Sequence, residues 1–108
     1  MKVFLIRDRS GIKASGEFDP VTKAVTVLKG SLLSQTVART EKFRGTKSIE
    51  KSREGVLNGN VLLKDIAFKS ASTAANFVTG SSTNGLTAWK DENGKTIKEI
   101  IAETEVLP

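Results

Sequence analysis

The opening of the chain is a compact apolar run, Val3-Phe4-Leu5-Ile6, closed by Arg7, Asp8 and Arg9, and it predicts a β-strand over Met1–Arg7. A hairpin follows, with arms over about Lys13–Phe18 and Lys23–Lys29. Asp19-Pro20-Val21-Thr22 supplies the turn, because proline presets φ and the aspartate can accept bonds from the turn amides. In the second arm Ala24, Thr26 and Leu28 alternate with Val25 and Val27, so both faces carry apolar weight. Leu32–Lys47 is polar and basic and shows no clear period.

Beyond it, "SIEKSREGVLNG" predicts a short helix capped by Ser48, with Ile49, Arg53, Val56 and Leu57 on one face and Asn58-Gly59 as its stop. Two short strands are expected at Val61–Lys64 and Ile66–Lys69. Ser70–Gly80 reads as a helix capped by Ser72, whose buried stripe is Ala71, Ala74, Ala75 and Val78. So small a stripe lets a helix axis lie close to its support. Asn84-Gly85 predicts a turn at positive φ leading to a strand with Trp89, then a turn at Asp91–Gly94. Thr96 caps a last helix with Ile97, Ile100 and Ile101 on one face, and residues 104–108 read as a fraying end. The sum is an α+β fold: a small antiparallel sheet with two or three short helices packed on it. The 108 residues suit one domain, ordered over about 2–102.

Composition narrows the chemistry. There is no cysteine and no histidine, which removes the thiolate nucleophile, the commonest general base and the usual zinc ligands. The carboxylate pairs Asp91-Glu92 and Glu103-x-Glu105 remain, one in a predicted turn and one on the predicted tail. We therefore expect no enzyme, no metal and no cofactor. An apolar run of four residues is shorter than the roughly 7–15 of a secretory core or the roughly 20 of a bilayer span. A cytoplasmic protein without membrane contact is the expectation, in keeping with the missing cysteine.

Charge changes the picture further. Of 17 basic and 12 acidic residues, positions 91–108 hold 2 and 5, leaving 15 and 7 before them, a balance of +8. That asymmetry suggests a polyanion partner, although a modest surplus also serves solubility. Arg39, Lys42, Arg44, Lys47, Lys51 and Arg53 face only Glu41 and Glu50, and either track phosphates or form a solvated surface. Lys69 and Ser70 with Ser72 put a cation and hydroxyls at a helix start, where free amides favour anions; capping alone also explains the serines. Trp89, with Lys90 beside it, can stack on a base or centre the core. Asn84 is either a turn residue or a ligand edge. Lys13 and Lys29 would flank the same surface if the hairpin lies beside the alanine helix.

These residues resemble a known bacterial family. Ala14-Ser15-Gly16, Leu28 to Ser31, the Phe-x-Ser-x-Ser-x-Ala-Ala run from Phe68 to Ala75, Asn84-Gly85, Trp89-Lys90 and Gly94-Lys95-Thr96 match, in order and spacing, the domain of unknown function 4357 family. The likeness runs from Gly11 to about Ile101. Ala71 stands where that family often has proline, and Leu86 where it often has an aromatic, which thins any aromatic surface beside Trp89. The family often ends larger bacterial proteins, including GIY-YIG-type nucleases, and is similar to the RAMA domain associated with restriction and modification enzymes and modified DNA. The resemblance implies a single accessory domain, 1–108, that binds nucleic acid, DNA before RNA, with sensitivity to DNA modification and a nuclease or methylase as partner. It does not imply a nuclease, since the chain has no tyrosine. A protein-interaction module that docks or regulates a partner enzyme is the alternative.

Overall fold

β1 (Lys2–Arg7) pairs antiparallel with β2 (Ile12–Phe18) through a single 3-10 turn at Asp8–Ser10, closed by Gly11 at φ 68°. In the computed structural model, residues 1–35, 37 and 46–106 are described, positions 46 and 104–106 by backbone alone. β3 (Val25–Val27) follows the predicted turn, in which Asp19 Oδ1 accepts from the amides of Val21 at 2.8 Å and Thr22 at 3.3 Å. β6 (Ile66–Phe68) completes a four-stranded antiparallel sheet of order β1-β2-β3-β6. Between β3 and β6 come α1 (Thr46–Arg53) and a small hairpin of β4 (Leu57–Asn58) and β5 (Val61–Leu62). After β6 stand α2 (Ala71–Thr79), α3 (Gly85–Ala88) and α4 (Ile97–Val106). The α+β arrangement and the antiparallel sheet are as the pattern predicted.

The pleat sorts the sheet residues. Val3, Leu5, Ile12, Ala14, Phe18, Val25 and Val27 are buried on one face, where the helices pack. Lys2, Phe4, Ile6, Lys13, Ser15, Glu17 and Thr26 take the opposite parity and form the outer face. On the inner face α2 buries Ala71, Ala74, Ala75, Phe77 and Val78, so its small stripe does admit close approach. The Phe68 and Phe77 rings meet at 4.9 Å.

The stretch after β3 joins the two sheets. Leu32 and Lys13 exchange backbone bonds at 3.0 Å, Leu62 N donates to Ser31 O at 2.9 Å, and Leu32 bridges Val61. Ser31 is buried, and its Oγ accepts from the Ser15 amide at 3.1 Å while donating to Leu28 O at 2.7 Å. The Leu28–Ser31 motif and the Ala14–Gly16 motif are therefore one structural unit.

Several local expectations need correction. α1 starts at Thr46, so Ser48 lies inside it and its carbonyl accepts from Ser52 Oγ. Asn58-Gly59 does not stop that helix; Leu57–Asn58 is a strand, and Gly59 at φ 63° turns the hairpin. Ser70, extended at φ −139°, caps α2 by accepting from Thr73 N, two residues before the expected Ser72. Asn84 has φ −77° and caps α3 in place of a positive-φ turn. Trp89 thus ends a helix instead of lying in a strand, and the β pairing there is confined to the isolated Phe4–Lys90 and Lys90–Thr96 bridges. Thr96 caps α4 as expected, reciprocally with Glu99, whose carboxylate accepts from the Thr96 amide. α4 continues to Val106, through part of the predicted fraying end. No described helix is long and apolar enough to cross a membrane.

Candidate nucleic-acid interface

The conspicuous stretch from Ser70 to Lys90 resolves into a packing device. Gly85 lies directly on the first turn of α2, where a Cβ would fall on the Ala71 carbonyl and the Ser72 amide nitrogen. Its own amide donates to Ser72 Oγ at 3.0 Å. Four residues later Trp89 is fully buried, and its Nε1–H reaches the Ala71 carbonyl at 3.1 Å. At the ring's far edge Gly16 is a neighbour: a Cβ there would stand 3.4 Å from Trp89 Cζ3, an ordinary van der Waals contact, and would meet Thr26 O at 3.1 Å and Val25 Cγ1 at 3.3 Å. Trp89 therefore presents no free face to a base, and the stacking role is corrected to a core role. Ser72 and Asn84 are likewise engaged, one with Gly85 and the other with the Leu86 amide at 3.0 Å. Ser70 holds Thr73 through both its amide and, at 2.9 Å, its hydroxyl.

Arg53 also leaves the candidate set. Its guanidinium donates to Phe77 O at 2.7 and 3.0 Å, to Ser34 O at 2.9 Å, to Ser34 Oγ at 2.9 Å and to Val78 O at 3.3 Å. The Phe77 and Val78 carbonyls lie in the last turn of α2, where a cation is favoured by the helix dipole. The guanidinium carbon also lies 5.8 Å from the centre of the Phe77 ring. Burial lowers its pKa from the ordinary guanidinium value. A guanidinium that commits most of its five N–H donors to these oxygens has little to offer a phosphate.

The remaining cations divide between two layers. Lys47 and Lys51 are exposed on α1, and Lys69 is exposed just before α2. Between these helices lies a cleft of about 170 Å³, lined by Ser48, Ser52, Thr73 and Asn76 over Ile49 and Phe77. Lys13 and Lys90 are exposed on the far side of the sheet, and Lys29 is exposed in the turn where its amide meets Asp65 Oδ1 at 2.7 Å. The sheet thus separates Lys13 from the alanine helix, although Ser15 and Ser31 do touch. None of these six lysines has an ion-pair partner among the described residues. Arg39, Lys42 and Arg44 lie outside the described residues.

Two features were missed by reading the sequence. The apolar run of β1 carries Phe4 and Ile6 on its outward parity, a signal present in the unbroken run itself. Leu32 and Val61 join them across the sheet, and no local pattern announces that. Of the carboxylates, Asp91 uses Oδ1 to hold the amides of Asn93 and Lys95, both at 2.9 Å, and Glu103 pairs with Lys95 at 2.8 Å. The ammonium of Lys95 is held above its usual pKa by that bond. No group of three or more carboxylates with metal-holding geometry occurs among the described residues.

No curated protein and no solved structure matches the chain. The family model described as domain of unknown function (DUF4357) matches residues 4–101. That span takes in the Gly16–Ser31 unit, the α2–α3 contact and the Trp89 core, and the chain belongs to this family.

Proposed function

We propose that this domain is a non-enzymatic nucleic-acid-binding module whose backbone contacts are made on its helical side. The reading rests on one observation: the exposed Lys47, Lys51 and Lys69 adjoin in sequence Ser48, Ser52 and Phe68, which line a hydroxyl-bearing cleft, and none of the three has an ion-pair partner among the described residues. Phosphate oxygens take bonds from lysines, hydroxyls and amides, and such contacts carry little sequence information. The +5 net charge favours the encounter. In this reading duplex DNA in the cytoplasm is the partner, base modification tunes affinity, and a nuclease or methylase supplies the chemistry. With Trp89 in the core, modification would be read by groups other than an aromatic platform.

A fluorescence titration with duplex DNA over a salt series is the test. Binding should weaken steeply with salt, with a log–log slope near −0.9 for each phosphate engaged. The double variant Lys47→Glu with Lys51→Glu should weaken binding and flatten the slope by about 2. Absence of binding at low salt would discard the reading. A protein-docking role is the second reading, favoured by the exposed apolar positions on the opposite face of the sheet.

A further inference from the structure

The outer face of the sheet carries a surface that nucleic-acid binding leaves unused. Antiparallel register sets Ile6 opposite Lys13, and single bridges extend the row through Leu32 to Val61. In the adjoining row Phe4 stands opposite Lys90. Ile6 is 51 % exposed, Val61 37 % and Leu63 48 %. Isolated exposed aliphatics are ordinary on a globular protein, but a strip held in cross-strand register marks a surface made for contact. Lys13 and Lys90 rise from this strip without a described carboxylate in ion-pair reach, while Glu17 on the same face pairs with the Met1 amino group at 3.1 Å.

We propose that this face docks a protein segment whose apolar side chains are flanked by carboxylates. The aliphatics of the partner cover Ile6, Leu32 and Val61, and its carboxylates meet Lys13 and Lys90. A groove of about 540 Å³ beside the strip, floored by Phe4, Ile6 and Ala88, has room for one large apolar anchor. Asp91 and Glu92 also line the groove. Asp91 turns Oδ1 to the amides of its own turn and Glu92 is exposed, so the partner's carboxylates lie toward Lys13 and Lys90 and away from that turn. Charge complementarity selects the partner class: two lysines set among aliphatics attract an acidic apolar segment. A nucleic-acid strand gains little here, since aliphatic side chains give bases no ring to stack on. The inference uses a different surface from the nucleic-acid reading and stands or falls separately from it.

The test uses the full chain and a fluorescein-labelled amphipathic helical peptide with leucine on one face and glutamate on its flanks. A lysine-flanked peptide of the same leucine pattern is the control. The acidic peptide should bind at least tenfold tighter than its control. Ile6→Ser and Lys13→Glu, both at exposed positions, should each weaken it at least fivefold while the melting curve and the DNA titration stay as in the parent. Equal binding of the two peptides, no binding, or binding indifferent to both substitutions overturns the proposal. So does a Lys13→Glu variant that loses DNA affinity and keeps the peptide, because the face would then belong to nucleic acid.

Discussion

Trp89 donates its indole N–H to the Ala71 carbonyl, 18 residues back along the chain, at 3.1 Å. That carbonyl belongs to the first turn of α2, and the Gly85 backbone presses on the same peptide unit. Large ring, missing side chain and small helix stripe are thus one arrangement. The alanines let α2 sink toward the sheet, and the glycine lets α3 lie on the start of α2.

Gly85→Ala should be the most damaging single-methyl change in the domain. The new Cβ meets backbone atoms of Ala71 and Ser72, which cannot swing aside as a flexible side chain would. The expected cost is about 3 kcal/mol, at the upper end for overpacking. For a domain this size that lowers Tm by about 15 °C in a circular-dichroism melt. A melt within a few degrees of the parent would remove the α2–α3 contact from the account of the fold.

Trp89 reports its own burial. As the chain's one tryptophan, its emission should be blue-shifted and resistant to iodide, and both should stay unchanged when duplex DNA is added. Strong quenching by DNA would return the ring to the binding surface.

Arg53→Lys tests the assignment of a cation to structure instead of phosphate. An ammonium cannot span the Phe77, Val78 and Ser34 oxygens that the planar fork holds together. The variant should lose about 2 kcal/mol of stability, the scale of hydrogen bonds to a charged donor. Its DNA affinity below the melting range should change less than about twofold, since no phosphate contact is lost. Loss of affinity with unchanged stability would reverse the assignment.

Acid should expose the hairpin turn. The Val21 amide, and after it the Thr22 amide, hold the Asp19 carboxyl below its ordinary value. A folded-state pKa depressed in this way contributes stability above the unfolded value, and that contribution fades as pH falls through the folded one. Asp19→Asn should therefore melt below the parent at pH 7, with the gap narrowing as pH falls below the ordinary carboxylate range. A gap that persists undiminished in acid would show that the turn does not depend on the carboxylate charge.

What could be read from the sequence was what local chemistry decides. The apolar run of β1, the Asp19-Pro20 turn, the alanine stripe and the Thr96 cap each carry their signal within a few residues, and each is found. Asn84-Gly85 was misread because turn statistics know nothing of Ala71, and close approach, not positive φ, is why a glycine stands there. Arg53 was placed on the correct helix face, yet its role needed the end of α2, 24 residues away. The outer strip escaped for the same reason: Leu32 sits in a segment without period, Val61 in a separate short strand, and the two align only through the sheet. The lysines of the candidate interface were visible as charges; their division between two layers was not.

The indole reaches from the Ala71 carbonyl, at Nε1, to the neighbourhood of Gly16, at Cζ3, so the ring works as a spacer between the helical layer and the sheet. A domain gauged in this way has one permitted thickness. Change at any of Ala71, Gly85 or Trp89 should be tolerated only in company with change at the others, and these three positions would be inherited as a single character while the exposed lysines drift around them.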